Sequence, residues 1–412
     1  MHGGNLQNES DLLDDFSTHF GLTQKRNARS VEISERERER ENTSLFLSIL
    51  AFGLQKLAFS HYASERTKME QRHWFNGLQA LRAILFIIIL LAHSLAFFPV
   101  EILGGGAPAV SCFFVMSGFL SGYFFKQKHR GDIGLLKECV SSVFKKVAKF
   151  YPLYFVMLVV SIFAVGGTPG NFVKCLFLLQ SYFGDAATAL SFNWVSWFLS
   201  SMLLCYLLSP VLNRACVKVE HRLVFVVVLM ICLMGVAAVW GYSWRTYRQN
   251  SDLGYYFTYI FPPLRVLEYL EGILLALLFR AREQRACPKY YVLFEGCVLL
   301  LFIAMLVYGG QFPTSFRAVK YIPISLFLVW IFAREGAGLV RIIACKPLVS
   351  MGAYAFELYI VHRMVLVIFA GIGTTFLHWV LAVMTTFIVS YVAKELTSEV
   401  RKSLSARKAN AA

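Results

Sequence analysis

The stretch Leu81-Arg82-Ala83-Ile84-Leu85-Phe86-Ile87-Ile88-Ile89-Leu90-Leu91-Ala92-His93 decides the fold class. Ten residues without a charge separate its arginine from its histidine. Such a run reads as a helix in lipid, because a chain crossing a bilayer must satisfy its backbone polar groups internally. The separation of eleven positions is close to three helical turns, which puts both side chains on one face, about 16 Å apart along the axis. In a hydrocarbon layer about 30 Å thick, Arg82 then sits near the cytoplasmic edge and His93 near mid-depth. A histidine there is costly unless it faces a polar cavity or a partner. A neutral imidazole so placed can accept a proton from a hydroxyl. The plainer reading is a packing histidine bonded to a neighbour and an arginine that snorkels to the interface.

The rest of the chain repeats this pattern. Of its 412 residues, 57% are hydrophobic and only 16% charged, against roughly 25% charged in soluble domains. That apolar excess implies an all-α, polytopic membrane bundle. Spans are expected near 80–98, 107–125, 150–166, 194–212, 223–241, 260–279, 291–309, 321–333, 348–369 and 374–392, about ten transmembrane helices. The run 321–333 is short and is expected to lengthen in both directions, whereas 172–183 is long enough only to dip into the membrane.

The net charge of +15 reads as a topology signal rather than as nucleic-acid binding, since cytoplasmic loops collect Lys and Arg. Lys126, Lys128, Arg130, Lys137, Lys145, Lys146 and Lys149 follow the second span, and 213–222, 280–290, 334–346 and the tail are also basic. The segments 99–106 and 370–374 carry no Lys or Arg, 167–193 carries only Lys174, and Arg245 and Arg248 are a mild violation. Both termini are therefore expected in the cytoplasm. None of the nine cysteines is spaced as CxxC, so neither a disulfide framework nor a metal site is expected.

The membrane domain is expected at 69–395, followed by a basic cytoplasmic tail at 396–412. Residues 1–68 form a polar extension with the charge run Glu35–Glu41 and a short apolar piece, 45–59. They read either as a disordered or surface-lying extension or as an over-extended reading frame whose true start is Met69.

Several ordered motifs resemble one family. Phe75-Asn76-Gly77-Leu78-Gln79-Ala80-Leu81-Arg82-Ala83 is similar to its "DGLRA" opening, with Asn76 in place of the acid, and Arg82 and His93 fall on its Arg-x10-His signature. Phe113-Phe114-Val115-Met116-Ser117-Gly118-Phe119-Leu120 resembles "FFVLSGFL", although Ser111 stands where an aspartate is usual. Lys145-Lys146-Val147-Ala148-Lys149-Phe150-Tyr151-Pro152 resembles "RRxxRIYP", with Lys146 and Lys149 for the two arginines. Asn193-Trp194-Val195-Ser196-Trp197-Phe198-Leu199-Ser200 resembles "WFLS", without the acidic residues that follow it in many polysaccharide acetylators. Arg265-Val266-Leu267-Glu268-Tyr269-Leu270-Glu271-Gly272 resembles "RxxEFxxG", and Gly352-Ala353-Tyr354-Ala355-Phe356-Glu357-Leu358-Tyr359-Ile360-Val361-His362 resembles "GxSYxxYLxH". The family is the bacterial membrane acyltransferase family 3, whose members O-acylate polysaccharides and related acceptors.

The resemblance implies an enzyme of the inner membrane that moves an acyl group, acetyl above all, from cytoplasmic acyl-CoA to a glycan hydroxyl. His93 is then the general base or a transient acyl carrier, with Arg82 below it. Arg82, Lys146 and Lys149 would meet the phosphates of CoA, although the two lysines also fit plain positive-inside charge. Trp197, Arg265, Glu268 and His362 are candidate substrate contacts. Each has a structural alternative: an interfacial anchor for Trp194 and Trp197, an internal ion pair for Arg265 and Glu268, and packing for His362. A transporter is the rival class, since it too uses intramembrane charge. The halves show no repeated motif of the kind many transporters carry.

Overall fold

The computed structural model describes residues 75–98, 106–126, 132–244, 251–282, 290–311, 319–334 and 338–410. The described residues form helices joined by turns, with no strand among them. In chain order the principal helices are α1 (Asn76–Ala92), α2 (Ala107–Tyr123), α3 (Asp132–Ala164), α4 (Pro169–Leu176), α5 (Trp197–Val217), α6 (Leu223–Ser243), α7 (Pro262–Arg280), α8 (Tyr291–Tyr308), α9 (Ile322–Ala333), α10 (Lys346–Gly352), α11 (Ala355–Ile372) and α12 (Phe376–Asn410). Six segments among the described residues are long and apolar enough to cross a bilayer: Gly134–Ala164, Trp194–Val217, Leu223–Ser243, Tyr291–Gln311, Ala355–Ile372 and Phe376–Glu399.

The solvent that surrounds these helices can be read from their outer faces. On α6, Val224, Phe225, Val228, Ile231 and Val239 are exposed, while Val226, Met230 and Ala237 face inward. On α8, Leu293, Leu300, Ile303 and Val307 are likewise exposed. A contiguous apolar surface of this kind belongs in hydrocarbon rather than water. The chain is a multi-pass membrane protein.

The inner helices are more polar than the outer ones. α2 and α7 approach backbone to backbone: a Cβ added at Gly118 would overlap the carbonyl of Tyr269, and one at Gly272 the carbonyl of Val115. Small residues one turn on, Gly122 and Ala276, continue the contact. Lipid gives apolar side chains no incentive to leave it, so close backbone packing and interhelical hydrogen bonds must hold such pairs together. α7 carries Arg265, Glu268 and Glu271, all buried, which is why a hydropathy criterion passes it over.

Several boundaries differ from those expected. The first helix stops at Ala92 instead of running to residue 98, and His93 is its C-cap. α3 begins at Asp132, so Lys137, Lys145, Lys146 and Lys149 lie on a helix rather than in a loop. Hydropathy marks where a helix enters lipid, not where its hydrogen bonding starts. α9 ends at Ala333 and opens with Pro323 in its first turn, so it does not lengthen as anticipated; a proline in the first turn suits a helix start. The span expected at 348–369 is two helices, α10 and α11, broken at Ala353–Tyr354. Lys394 of α12 covers that break: its Nζ donates to the carbonyl of Ala353 at 2.8 Å and lies 3.7 Å from the Tyr354 ring centre. α12 itself continues through Asn410 into the basic tail. The extension 1–68 and Met69 lie outside the described residues.

Candidate active site: a histidine pair at the end of the first helix

His93 and His362 come from opposite ends of the sequence and meet at 2.9 Å, Nδ1 to Nε2. Their rings are parallel within 5° with centroids 5.2 Å apart. That separation is the hydrogen-bond length plus two nitrogen-to-centre radii, so the rings are joined edge to edge in one plane rather than stacked. His362 is fully buried on α11, with Phe86 against it edge-on. Its Nδ1 lies 2.7 Å from the carbonyl oxygen of Tyr359 and 3.2 Å from that of Leu358.

These contacts assign the protons. A carbonyl oxygen only accepts, so Nδ1 of His362 carries the hydrogen and its Nε2 is left with a lone pair. Nδ1 of His93 must then donate to that lone pair. In a neutral ring this leaves Nε2 of His93 as an open acceptor, and it makes no hydrogen bond among the described residues. The pair fixes the tautomer of His93, with the lone pair on Nε2.

The local fold holds His93 at this point. The helix ends there because the chain turns: Ser94 N–H donates to Leu91 O, and Ser94 Oγ donates to Leu90 O at 2.7 Å. Trp379 Nε1 donates to the same hydroxyl at 2.9 Å, tying the turn to α12. His93 is therefore a capping residue, half-buried at the helix end, and not the mid-helix residue expected.

A cation that the sequence reading passed over stands next to the pair. Arg363 follows His362 on α11, and its guanidinium lies 4.5 Å from the ring centre of Trp194. The signal was present, an arginine inside an apolar run beside a marked histidine. Only the fold shows which surface it meets.

The cationic candidates form a separate group. Arg82 Nη1 donates to Gln79 Oε1 at 3.2 Å. Lys146, exposed on α3, lies 5.4 Å from the Tyr206 ring centre, and Lys149 follows about one turn later on the same helix.

Arg265 and Glu268 form a buried ion pair, Nη1 to Oε1 at 2.7 Å, each about 1% exposed. Ser111 Oγ donates to the same carboxylate oxygen at 3.0 Å, so the serine that stands in the aspartate position supplies a hydrogen bond instead of a charge. The guanidinium also lies over the rings of Phe114 and Tyr259. Trp197 is 5% exposed and packs against Tyr259 with ring centres 5.0 Å apart, a core position rather than an open platform. Trp194, by contrast, is 49% exposed. The structure joins His93 with His362 and Arg265 with Glu268, while Arg82 meets Gln79 and Lys146 meets Tyr206. It shows no contact between Arg82 and His93.

The described residues thus hold a hydrogen-bonded histidine pair inside an apolar helical bundle. The chain belongs to acyltransferase family 3, whose acyltransferase-domain model matches residues 75–395. A similar curated protein is the acyltransferase MdmB of Streptomyces mycarofaciens, 26% identical over 281 residues, which cover 63% of this chain and 68% of that protein. No solved structure matches the chain.

Proposed function

We propose that this acyltransferase moves an acetyl group from cytoplasmic acyl-CoA to a hydroxyl of a cell-surface glycan. The observation that carries the reading is the open Nε2 of His93, aligned by His362 and the Tyr359 carbonyl. Nε2 takes the proton of the acceptor hydroxyl as its oxygen attacks the thioester carbon. The C–S bond then breaks, and the proton passes from His93 to the leaving thiolate.

Arg82, Lys146 and Lys149 are the donor-binding group. CoA carries several phosphates that call for several cations, and a lysine can serve as a point charge. The three-turn length of α1 between Arg82 and His93 is a distance that the pantetheine arm of CoA can span. In this reading the donor enters from the cytoplasmic side of the inner membrane and the acyl group is delivered toward the other face. The six long apolar segments, the three shorter apolar helices α1, α2 and α9, and the charged α7 would together make ten spans with both termini in the cytoplasm.

The test is purified protein in nanodiscs with labelled acetyl-CoA and a panel of glycans. Label should pass to a glycan in the parent protein and not in His93→Ala. Transfer by the alanine variant at near-parent rate would remove the mechanism. A reporter fused after Ala412 that proved extracytoplasmic would remove the topology. Comparing O-acyl content of surface glycans with and without the gene identifies the acceptor.

A further inference from the structure

Arg363 is the charged group of the site that neither the histidine pair nor the proposed donor-binding group uses. Two buried hydrogen bonds fix the surface it rests on. Tyr359 OH donates to the carbonyl of Val195 at 2.9 Å, and Asn193 Nδ2 donates to the carbonyl of Ile360 at 3.0 Å. Together they bolt the segment 193–197 to α11 on either side of Trp194. The indole is thereby held against the guanidinium at 4.5 Å from ring centre to Cζ, a cation–π contact that orients the fork without neutralising it. Nε of Arg363 is buried without a hydrogen-bond partner, as is Oδ1 of the fully buried Asn193. No carboxylate pairs with Arg363 among the described residues.

A permanent cation beside a general base works against that base, because the base must become positive when it takes its proton. The opposition disappears only if a negative charge arises within reach of the cation at the same moment. Acyl transfer produces such a charge: attack on the carbonyl carbon moves the C=O π pair onto oxygen. A donor aimed at that oxygen acts where charge develops rather than where substrate rests.

From this placement we propose that Arg363, held on Trp194, is the catalytic group that receives the carbonyl oxygen of the acyl donor as it becomes an oxyanion. As the acceptor hydroxyl gives its proton to His93 Nε2, its oxygen bonds to the carbonyl carbon and the oxyanion forms against the guanidinium. The pair then re-forms the C=O bond, the bond to the donor's leaving atom breaks, and that atom takes the proton from His93. The leaving atom is sulfur if the acyl-CoA reading above holds. The oxyanion step does not depend on that reading.

The test uses full-length protein in nanodiscs with two donors. One is acetyl-CoA; the other is p-nitrophenyl acetate, which needs no CoA site. Arg363→Gln should lower kcat on p-nitrophenyl acetate about 10²- to 10³-fold, the loss typical of a deleted oxyanion donor, with KM within about two-fold. Arg363→Lys, which keeps the charge, should recover about ten-fold or more of that loss. Helical circular dichroism and a single gel-filtration peak establish that each variant is folded. A glutamine variant within about three-fold of parent kcat overturns the proposal. So does a fall carried by KM, which would make Arg363 a ground-state anchor. Failure of the lysine to recover activity in a folded variant also counts against it. Turnover of the ester without turnover of acetyl-CoA would sink the donor reading and still score Arg363. Turnover of neither by the parent protein sinks both.

Discussion

Nδ1 of His93 and Nε2 of His362 are 2.9 Å apart across a sequence separation of 269 residues. The Tyr359 carbonyl behind His362 sets the direction of every proton in the line. In the proposed mechanism His93 is the residue that meets substrate, and His362 positions it.

Removing the second histidine should therefore cost activity without removing a substrate contact. His362→Ala frees His93 to rotate and to adopt the wrong tautomer, and kcat should fall about 10²-fold or more with both KM values near those of the parent. His362→Gln offers an amide oxygen near the lost Nε2 and should recover part of the rate. Equal loss in the two variants, measured by steady-state kinetics, would mean that the ring matters for packing alone.

The proposed donor-binding role of Lys146 makes a different prediction. Lys146→Ala should raise KM for acetyl-CoA about ten-fold, in line with roughly 1.5–3 kcal/mol for a hydrogen bond to a charged group. It should leave kcat nearly unchanged and should weaken the salt dependence of donor binding. Lys146→Arg should bind at least as well as the parent, because a guanidinium can grip phosphate through two bonds. A donor KM that ignores both changes would return Lys146 to the role of plain cytoplasmic charge.

The Arg265–Glu268 pair is coupled by burial. Glu268→Ala leaves the guanidinium buried beside Phe114 and Tyr259 without its counter-charge. That should destabilise the protein by about 3–5 kcal/mol. Replacing both residues by apolar ones should cost much less than the single change. Thermal unfolding of detergent-solubilised variants measures the cycle; additive losses would argue against a coupled pair.

Close packing of α2 on α7 is tested at Gly118. Gly118→Ala places a methyl group in the Tyr269 carbonyl and forces the helices apart, costing about 1–3 kcal/mol or more. Gly235→Ala, at a position on α6 with open space around it, is the control. Monodisperse yield on gel filtration should drop for the first variant and hold for the second.

Much of this molecule was legible in the order of its residues. Hydropathy located the apolar helices well where both edges of a helix coincide with the edges of lipid. Residues 223–241 against the observed Leu223–Ser243, and 291–309 against Tyr291–Tyr308, show this. It failed at α3 and α12, whose hydrogen bonding continues past the membrane edge, and at α10–α11, where a turn interrupts an apolar run. His93 and Arg82 stand out by residue type in an unfavourable medium, whereas His362 and Lys146 stand out through motifs. That argument needs no coordinates, because lipid penalises a polar side chain whatever its neighbours.

Residue order alone settles the solvent, the helical class and the short list of costly polar residues, since each follows from local composition and the energetics of hydrocarbon. How these residues pair, and which others join them, is settled by the fold. His93 caps a helix instead of lying within one, it pairs with His362, Ser111 serves Glu268, and Arg363 rests on Trp194. Hydrogen-bond direction and ring contact are set by side chains that approach from distant helices. Spacing along one chain constrains a face of a helix but not what that face meets.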